Sequence, residues 1–347
     1  MSRPAFGRHA GTLAALTLVA AAFLSAACAP AFASEGRIVF TADPAYSAGA
    51  AAWNSIATMW SDGTHIHTLA SAPSTATPVA MPVWSFNRLW VAYIRKTVSG
   101  EIRVVRWDGA RDHAISFTPP WPGWIPGDPQ AMAWSPDGRY LVVAENAVYD
   151  EEAHGDRVWL IKIDLVKGTS RPLAQASASE NRFQSLSYSP SGRYLAACEA
   201  TIEPIFPSGQ AWPAANRLLN ASTGATVYTY PSNVEGIDIA PDGQHLSFVE
   251  PRPRDSLEFA HVAELRRANV DFKHRKTILT VVGESHVRIE GYPTMPLTRW
   301  SYDGSRVAVS TFYAASDSFD GPFVSNVSAG GTGFFTNYDV YADQFDW

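Results

Sequence analysis

A ten-residue pattern that recurs along the chain limits its fold more than any other feature. Each copy has an apolar or aromatic leading residue, a Ser-Pro-Asp-Gly turn or a variant of it, and a run rich in valine, leucine, alanine and tyrosine. Clear copies begin at Trp134, Tyr188, Ile239 and Trp300, and a degraded copy begins at Trp84. The copies are therefore 50, 54, 51 and 61 residues apart. Periods of roughly 20 to 50 residues are typical of solenoids, propellers and other repeat arrays.

Each copy predicts two strands joined by a tight turn, because proline presets φ and glycine accepts the position with positive φ. The copy at Trp134 also shows the rest of the unit. A third strand is predicted at residues 158–164, a polar turn at Lys167-Gly168, and a short fourth strand at residues 171–173. Four antiparallel strands in about 50 residues are typical of one blade of a β-propeller.

The two ends of the chain complete one further unit. Residues 36–41 match the second strand of a blade that lacks its first, and residues 56–64 match a third strand and its turn. Residues 341–347 end in Trp347, where a leading residue would stand. We therefore predict an all-β, six-bladed β-propeller of four-stranded antiparallel blades. A C-terminal strand pairing beside Ile38–Thr41 closes the ring, and closure removes exposed sheet edges.

At these repeats the chain resembles the WD40-like (PD40) repeat family, which includes the six-bladed propeller of TolB. The resemblance covers about residues 36–347, and residues 59–64 are similar to that family's outer strand and turn. TolB carries an α/β domain before its propeller, whereas blade 1 here begins close to a predicted cleavage site. TolB's docking to other envelope proteins is therefore not implied. Related propellers occur in peptidases with a separate hydrolase domain, but residues 283–287 only approach a Gly-x-Ser-x-Gly elbow.

Residues 1–33 predict a signal peptide, and residues 34–347 the propeller. Arg3 and Arg8 precede an apolar stretch at 12–24, which is too short to span a bilayer, and Ala31-Phe32-Ala33 offers a cleavage site. As an alternative, residues 24–28 resemble a lipoprotein box with lipidation at Cys28. We expect an exported bacterial protein that is secreted, periplasmic or on the cell surface, with membrane attachment only through that anchor.

Charge and cysteine content exclude several function classes. The chain has 27 Lys and Arg against 33 Asp and Glu, a net charge of −6, so a nucleic-acid partner is not expected. It has two cysteines, too few for a disulfide framework or a cysteine metal site. Once Cys28 is removed or lipidated, Cys198 is expected to be a small buried apolar residue.

Long, unequal loops follow the second and fourth strands of the blades, and they share the face that we call the long-loop face. We expect binding there and at the mouth of the channel. The aligned position 11 residues after each leading position holds Asp43, Arg95, Glu145, Glu199, Glu250 and Thr311. These residues could form an acidic mouth that attracts a cation, a basic peptide or a polyamine. They could instead be solvated strand ends, with Arg95 neutralising one acid.

The loop at residues 119–126 holds Trp121 and Trp124 among four prolines. Such a loop could be a rigid stacking surface for sugar rings or a proline-rich peptide, or it could cover the propeller. The histidine spacings do not require a metal, and no catalytic constellation is recognisable, so we expect no metal, no cofactor and no catalytic residues.

These observations favour a monomeric, non-catalytic binding module for an envelope or extracellular protein or glycan. The alternative is a polysaccharide-active enzyme, a lyase or hydrolase that uses acids or histidines on the long-loop face.

Overall fold

The computed structural model describes fourteen ranges of the chain, to which all structural statements below refer. They are residues 36–42, 55–61, 64–74, 77–97, 100–121, 129–146, 158–178, 181–202, 211–251, 260–284, 298–309, 323–326, 332–333 and 345–346. These residues form four-stranded antiparallel sheets that are arranged as a β-propeller.

The first three sheets in chain order account for the N-terminal half. The first contains β1 (Arg37–Ala42), β2 (Ser55–Trp60), β3 (His67–Ser71) and the C-terminal strand β24 (Phe345–Asp346), in the order β24-β1-β2-β3. The second contains β4 (Val79–Trp84), β5 (Trp90–Arg95), β6 (Glu101–Arg106) and β7 (His113–Ala114). The third contains β8 (Pro129–Trp134), β9 (Tyr140–Asn146), β10 (Val158–Asp164) and β11 (Thr169–Gln175).

The other sheets follow the same plan, with strands paired in chain order. The fourth contains β12 (Asn181–Tyr188), β13 (Tyr194–Ile202), β14 (Ala211–Asn220) and β15 (Thr226–Tyr230). The fifth contains β16 (Glu235–Ile239), β17 (His245–Pro251), β18 (Ala260–Asn269) and β19 (Lys276–Glu284). The sixth contains β20 (Thr298–Trp300), β21 (Arg306–Val309), β22 (Phe323–Asn326) and β23 (Thr332–Gly333).

The turns of the repeat adopt the geometry that their residues predict. The turn glycines Gly138, Gly192, Gly243 and Gly304 have φ between 67° and 70°. The serine of the turn also makes hydrogen bonds that stabilise it. In the copy at Trp134, Ser135 Oγ accepts the Tyr140 backbone N–H at 2.8 Å and donates to Asp137 at 2.5 Å. Each leading residue therefore ends an innermost strand, and the turn returns the chain into the second strand of the same sheet.

Apolar clusters lie between successive sheets and form the core. One cluster joins β8 and β9 to β12 and β13 through residues such as Val142, Ala144, Leu186 and Leu195. Comparable clusters lie between the first and second, second and third, fourth and fifth, and fifth and sixth sheets. Cys198 is 1% exposed within the cluster between the fourth and fifth sheets, so the prediction of a buried apolar role is confirmed.

Among the described residues, polar contacts join the sixth sheet to the first. Strand β24 pairs antiparallel with β1, Val39 with Asp346 and Phe40 with Phe345, where the sequence predicts the closing strand. The Arg299 Nε lies 3.2 Å from Asp346 Oδ1, and Arg306 donates to Ser61 Oγ at 2.6 Å. The two ends of the chain are thus fixed to each other by backbone pairing and by charge.

Candidate functional site

The structure places Arg95 in a network within its own sheet. Its guanidinium lies 3.3 Å from Glu101 and 3.9 Å from Asp112, and Arg103 contacts the same two acids at 3.0 Å. Tyr93 donates to Asp112 at 2.8 Å, so these side chains form one connected cluster. The two acids that Arg95 contacts are therefore residues other than the aligned acids of the sequence analysis.

Glu199 is fully buried rather than solvated at a strand end. Its carboxylate accepts the Ser177 backbone N–H at 2.8 Å and the Ser177 hydroxyl at 2.6 Å. Asn181 and Arg217 also donate to it. A buried carboxylate with this many hydrogen-bond donors indicates a structural role, in which Glu199 connects the start of β12 to the middle of β14.

Glu250 is surrounded by basic residues of its own repeat. Its carboxylate pairs with Arg266 and lies 3.2 Å from Arg275, and Asn233 donates to it at 3.3 Å. Arg266 also lies 3.5 Å from Glu264. These contacts neutralise Glu250 and, at the same time, two basic residues of its repeat, Arg266 on β18 and Arg275 just before β19.

Of the remaining predicted residues, the structure describes Glu145 and Trp121. Glu145 is 1% exposed, so the solvated interpretation is wrong for this acid as it is for Glu199. Trp121 packs edge-on against Trp159 of β10, with ring centroids 5.2 Å apart. Asp43 and Trp124 lie outside the described residues.

A cavity of about 350 Å³ lies where the innermost strands converge. It is at the turn face, meaning the end of the ring that carries the Ser-Pro-Asp-Gly turns, opposite to the ends of the second strands. We call this cavity the channel pocket. Its walls include all five leading residues, which are Trp84, Trp134, Tyr188, Ile239 and Trp300. Its rim includes Phe86, Pro190, Pro241 and Tyr302, the second residues of four turns.

The six residues that immediately precede the leading positions also line the pocket, and we call them the channel ring. They are Val83, Ala133, Ser187, Asp238, Arg299 and Asp346. An innermost strand has no partner on its channel side, so backbone N–H groups on that edge need other acceptors. Three side chains of the channel ring act as acceptors for backbone N–H groups of the next sheet. Ser187 accepts from the N–H of Ile239 at 3.0 Å, Asp238 from that of Trp300 at 2.7 Å, and Asp346 from that of Trp84 at 2.7 Å.

Arg299 lies between the two acids of the channel ring. Its Nη1 is 3.9 Å from Asp238 and its Nε is 3.2 Å from Asp346, and its side chain is 8% exposed. Burial raises the pKa of Asp238, while Arg299 and the Trp300 N–H oppose this rise by stabilising the carboxylate. The floor of the pocket therefore carries three charged groups that satisfy one another.

Arg88 is the other charged residue of the pocket wall among the described residues. It occupies the turn position that is glycine in the other copies, and its φ is 58°. Its guanidinium lies over the rings of Trp84 and Tyr302, at 5.5 and 5.9 Å from their centroids. Burial lowers the pKa of Arg88, while Asp346, Tyr302 and Asp238 act in the opposite direction.

The repeat pattern alone did not single out Arg88, Asp238, Arg299 and Asp346. Two signals in the aligned repeats mark them. One is the change from apolar to charged residues at the position before the leading residue, and the other is an arginine where every clear copy has glycine.

The described ranges contain neither a cluster of metal ligands nor a membrane-spanning helix. Within those ranges, no group of three or more His, Cys, Asp or Glu side chains is placed to hold a metal ion. No helix there is long and apolar enough to cross a membrane.

Comparisons with known proteins give a fold-level likeness only. No protein-family model matches the chain, and no curated protein matches it. Among solved structures, the chain is similar to the crystal structure of an oligogalacturonate lyase from Vibrio parahaemolyticus, with 11% identity and a TM-score of 0.43. The match covers 85% of this chain and 71% of that one. At this identity and TM-score the match carries no inference about activity or substrate.

Proposed function

We propose that the protein is a non-catalytic binding module whose partner docks at the channel pocket. The observation that carries the proposal is the pocket itself, a concave site of about 350 Å³ built from the ends of the innermost strands. A volume of this size lies within the range of about 300–1,000 Å³ that is usual for ligand sites. The exposed ring of Tyr302, with 49% of its surface accessible, extends the pocket onto the turn face.

The chemistry of the pocket favours binding over catalysis. General acid–base work needs a group that is free to exchange a proton with a substrate. The two carboxylates of the channel ring are instead engaged by backbone N–H groups and by Arg299. Their arrangement holds neighbouring sheets together and gives the pocket a rigid floor.

Blade number, repeat family and export remain as the sequence predicts them in this proposal. We propose six blades, supported by the six four-stranded sheets and by the pairing of β24 with β1. The repeated turn supports the likeness to PD40 and TolB-type propellers. The basic, apolar and small-residue segments of residues 1–33 support export to the bacterial envelope or beyond. The partner would then be an envelope or extracellular protein or glycan.

Photo-crosslinking at the rim tests the docking site. A photoreactive phenylalanine at position 302 is expected to crosslink the partner in envelope or culture-supernatant fractions of the producing bacterium. The matched control places the same group at Tyr228, which is 38% exposed on the outermost strand β15 of the fourth sheet. Equal crosslinking at both positions, or none at 302, would contradict docking at the pocket. Turnover of a polysaccharide by the purified protein would contradict a non-catalytic role.

A further inference from the structure

We propose that the channel pocket binds a carboxylate attached to an apolar group, and that Arg88 is the residue that pairs with that carboxylate. This inference rests on the proposed binding function and names the chemistry of its ligand. Three independent features of the described residues support it: the backbone of Arg88, the surroundings of its guanidinium, and the engagement of most other polar groups in the pocket.

The backbone of Arg88 is held where arginine is disfavoured. The corresponding residues Gly138, Gly192, Gly243 and Gly304 have φ of 67° to 70°, and Arg88 has φ of 58° in the same turn. A side chain in this left-handed region is strained, and such strain concentrates at functional sites. The turn therefore contains an arginine in a conformation that favours glycine. The positively charged side chain of this arginine forms part of the pocket wall.

The guanidinium of Arg88 is placed to bind an anion. Its described contacts are the faces of two aromatic rings and a long hydrogen bond, 3.5 Å, to the carbonyl of Arg37. Among the described residues it makes no ion pair, in contrast to Arg299, which has two. Aromatic faces hold the guanidinium plane in position while leaving its fork of donors available for a carboxylate.

Most of the other polar groups of the pocket are already engaged, and the described exceptions are the buried Trp84 Nε1 and Tyr188 hydroxyl. Ser85 Oγ donates to Asn87 and accepts from the Trp90 N–H, and Ser187 Oγ accepts from the Ile239 N–H. The two ring aspartates hold backbone N–H groups and Arg299. A sugar would bring many hydroxyls into a wall that has few groups left to pair with them, and unpaired buried hydroxyls are costly. An apolar body with one anionic group fits this wall better.

Two sources share this ligand chemistry. One is the C-terminal carboxylate of a protein that ends in an apolar residue, and the other is a small apolar carboxylic acid. In both cases the apolar part would contact Phe86, Pro190, Pro241 and Tyr302 at the rim, and the carboxylate would face Arg88.

The test titrates the purified protein with three probes: hexanoate, a hexapeptide ending in two leucines with a free C-terminus, and the same peptide amidated. Three tryptophans line the pocket, so intrinsic fluorescence is a direct readout. The main variant is Arg88→Gly, which restores the residue found in the other turns and so relieves the backbone strain. Arg193→Ala, an exposed arginine beside the equivalent turn of the fourth sheet, is the matched control.

We expect the free carboxylate to bind the wild type and the Arg193→Ala variant alike, and to bind Arg88→Gly about 10- to 100-fold more weakly. Arg88→Lys, a second variant, should bind with intermediate affinity because it keeps the charge and loses the fork. Binding of hexanoate would identify a small acid as sufficient, and binding of the free-acid peptide alone would identify a chain terminus.

Equal binding of the amidated and free peptides by the wild type would overturn the inference. So would equal binding by wild type and Arg88→Gly, or no binding of either free carboxylate at millimolar concentration. If the partner still crosslinks at position 302 in any of these cases, the binding function stands and only the assigned ligand chemistry fails.

Discussion

Asp346 joins three sheets, and replacing it tests the polar closure of the ring. Its backbone pairs with Val39 of the first sheet, and its carboxylate accepts the Trp84 N–H of the second sheet at 2.7 Å. The same carboxylate lies 3.2 Å from Arg299 of the sixth sheet. Asp346→Ala removes both side-chain contacts at once and leaves Arg299 with Asp238 at 3.9 Å.

The cost can be worked from these contacts. Removing one partner of a buried ion pair typically costs about 3–5 kcal/mol, and a hydrogen bond to a charged group contributes about 1.5–3 kcal/mol. The side chains of Asp346 and Arg299 are 17% and 8% exposed, so solvent replaces little of what is lost. Because Asp238 still faces Arg299, we expect the lower end, about 3 kcal/mol, which would lower the melting temperature by about 6 °C or more.

Urea and thermal unfolding followed by circular dichroism measure the effect. The Asp346→Asn variant can still accept the Trp84 N–H, so its free energy of unfolding should be about 1 kcal/mol higher than that of Asp346→Ala. A double-mutant cycle with Arg299→Met should give a coupling of about 2 kcal/mol between the two residues. The matched control is Asp271→Ala, because Asp271 pairs with Lys273 at 3.1 Å but both side chains are exposed. It should leave the melt unchanged.

A melt of Asp346→Ala within error of wild type, or additive effects of the two single variants, would refute the reasoning. The first result would mean that neither side-chain contact of Asp346 stabilises the closed ring, and the second that its pairing with Arg299 does not.

Three further predictions concern closure, pH and a close backbone approach. Deletion of residues 340–347 should lower the melting temperature more than Asp346→Ala does, because it also removes the pairing with β1; an unchanged melt would exclude the closure model. Burial raises the pKa of Glu235 from 4.5 to about 7, so the folded state binds more protons between these values and stability should fall as pH rises through them. The part of this fall due to Glu235 should be at most about 3 kcal/mol, and Glu235→Gln should remove that part in urea titrations at pH 5 and pH 8. Gly224→Ala and Gly138→Ala both place a side chain at positive φ, but only a Cβ at Gly224 would overlap the carbonyl oxygen of Leu173. Unfolding titrations should show that Gly138→Ala lowers the free energy of unfolding by about 1 kcal/mol. Gly224→Ala should lower it by about 1–3 kcal/mol more than Gly138→Ala does.

Much of the fold could be predicted from the repeat because its determinants are local. The third strand predicted at residues 158–164 is β10, with the same limits. The predicted turn glycines have positive φ, and the C-terminal segment pairs with β1 as expected. Proline, glycine and alternating apolar residues act within about ten residues, so their effect is visible without knowledge of the rest of the chain.

The candidate site was less predictable because its residues act through partners that are distant in sequence. Aligned acids were expected at a solvent-exposed position, yet Glu145 and Glu199 are buried. Glu199 is held there by Arg217 of β14 and by Ser177 before β12, and its own repeat motif contains neither residue. An alignment of repeats shows that a position is acidic, but the donors that neutralise the acid come from other strands.

The repeating unit of this protein is readable from local sequence, as a hairpin with a glycine-containing turn that recurs and forms four-stranded antiparallel sheets. Which polar side chains meet at the centre depends on how these sheets pack together. Trp84 and Asp346 are 262 residues apart and become hydrogen-bonded only when the ring closes. Strand and turn preferences are properties of neighbouring residues, whereas the channel pocket exists only where the ends of all the innermost strands converge.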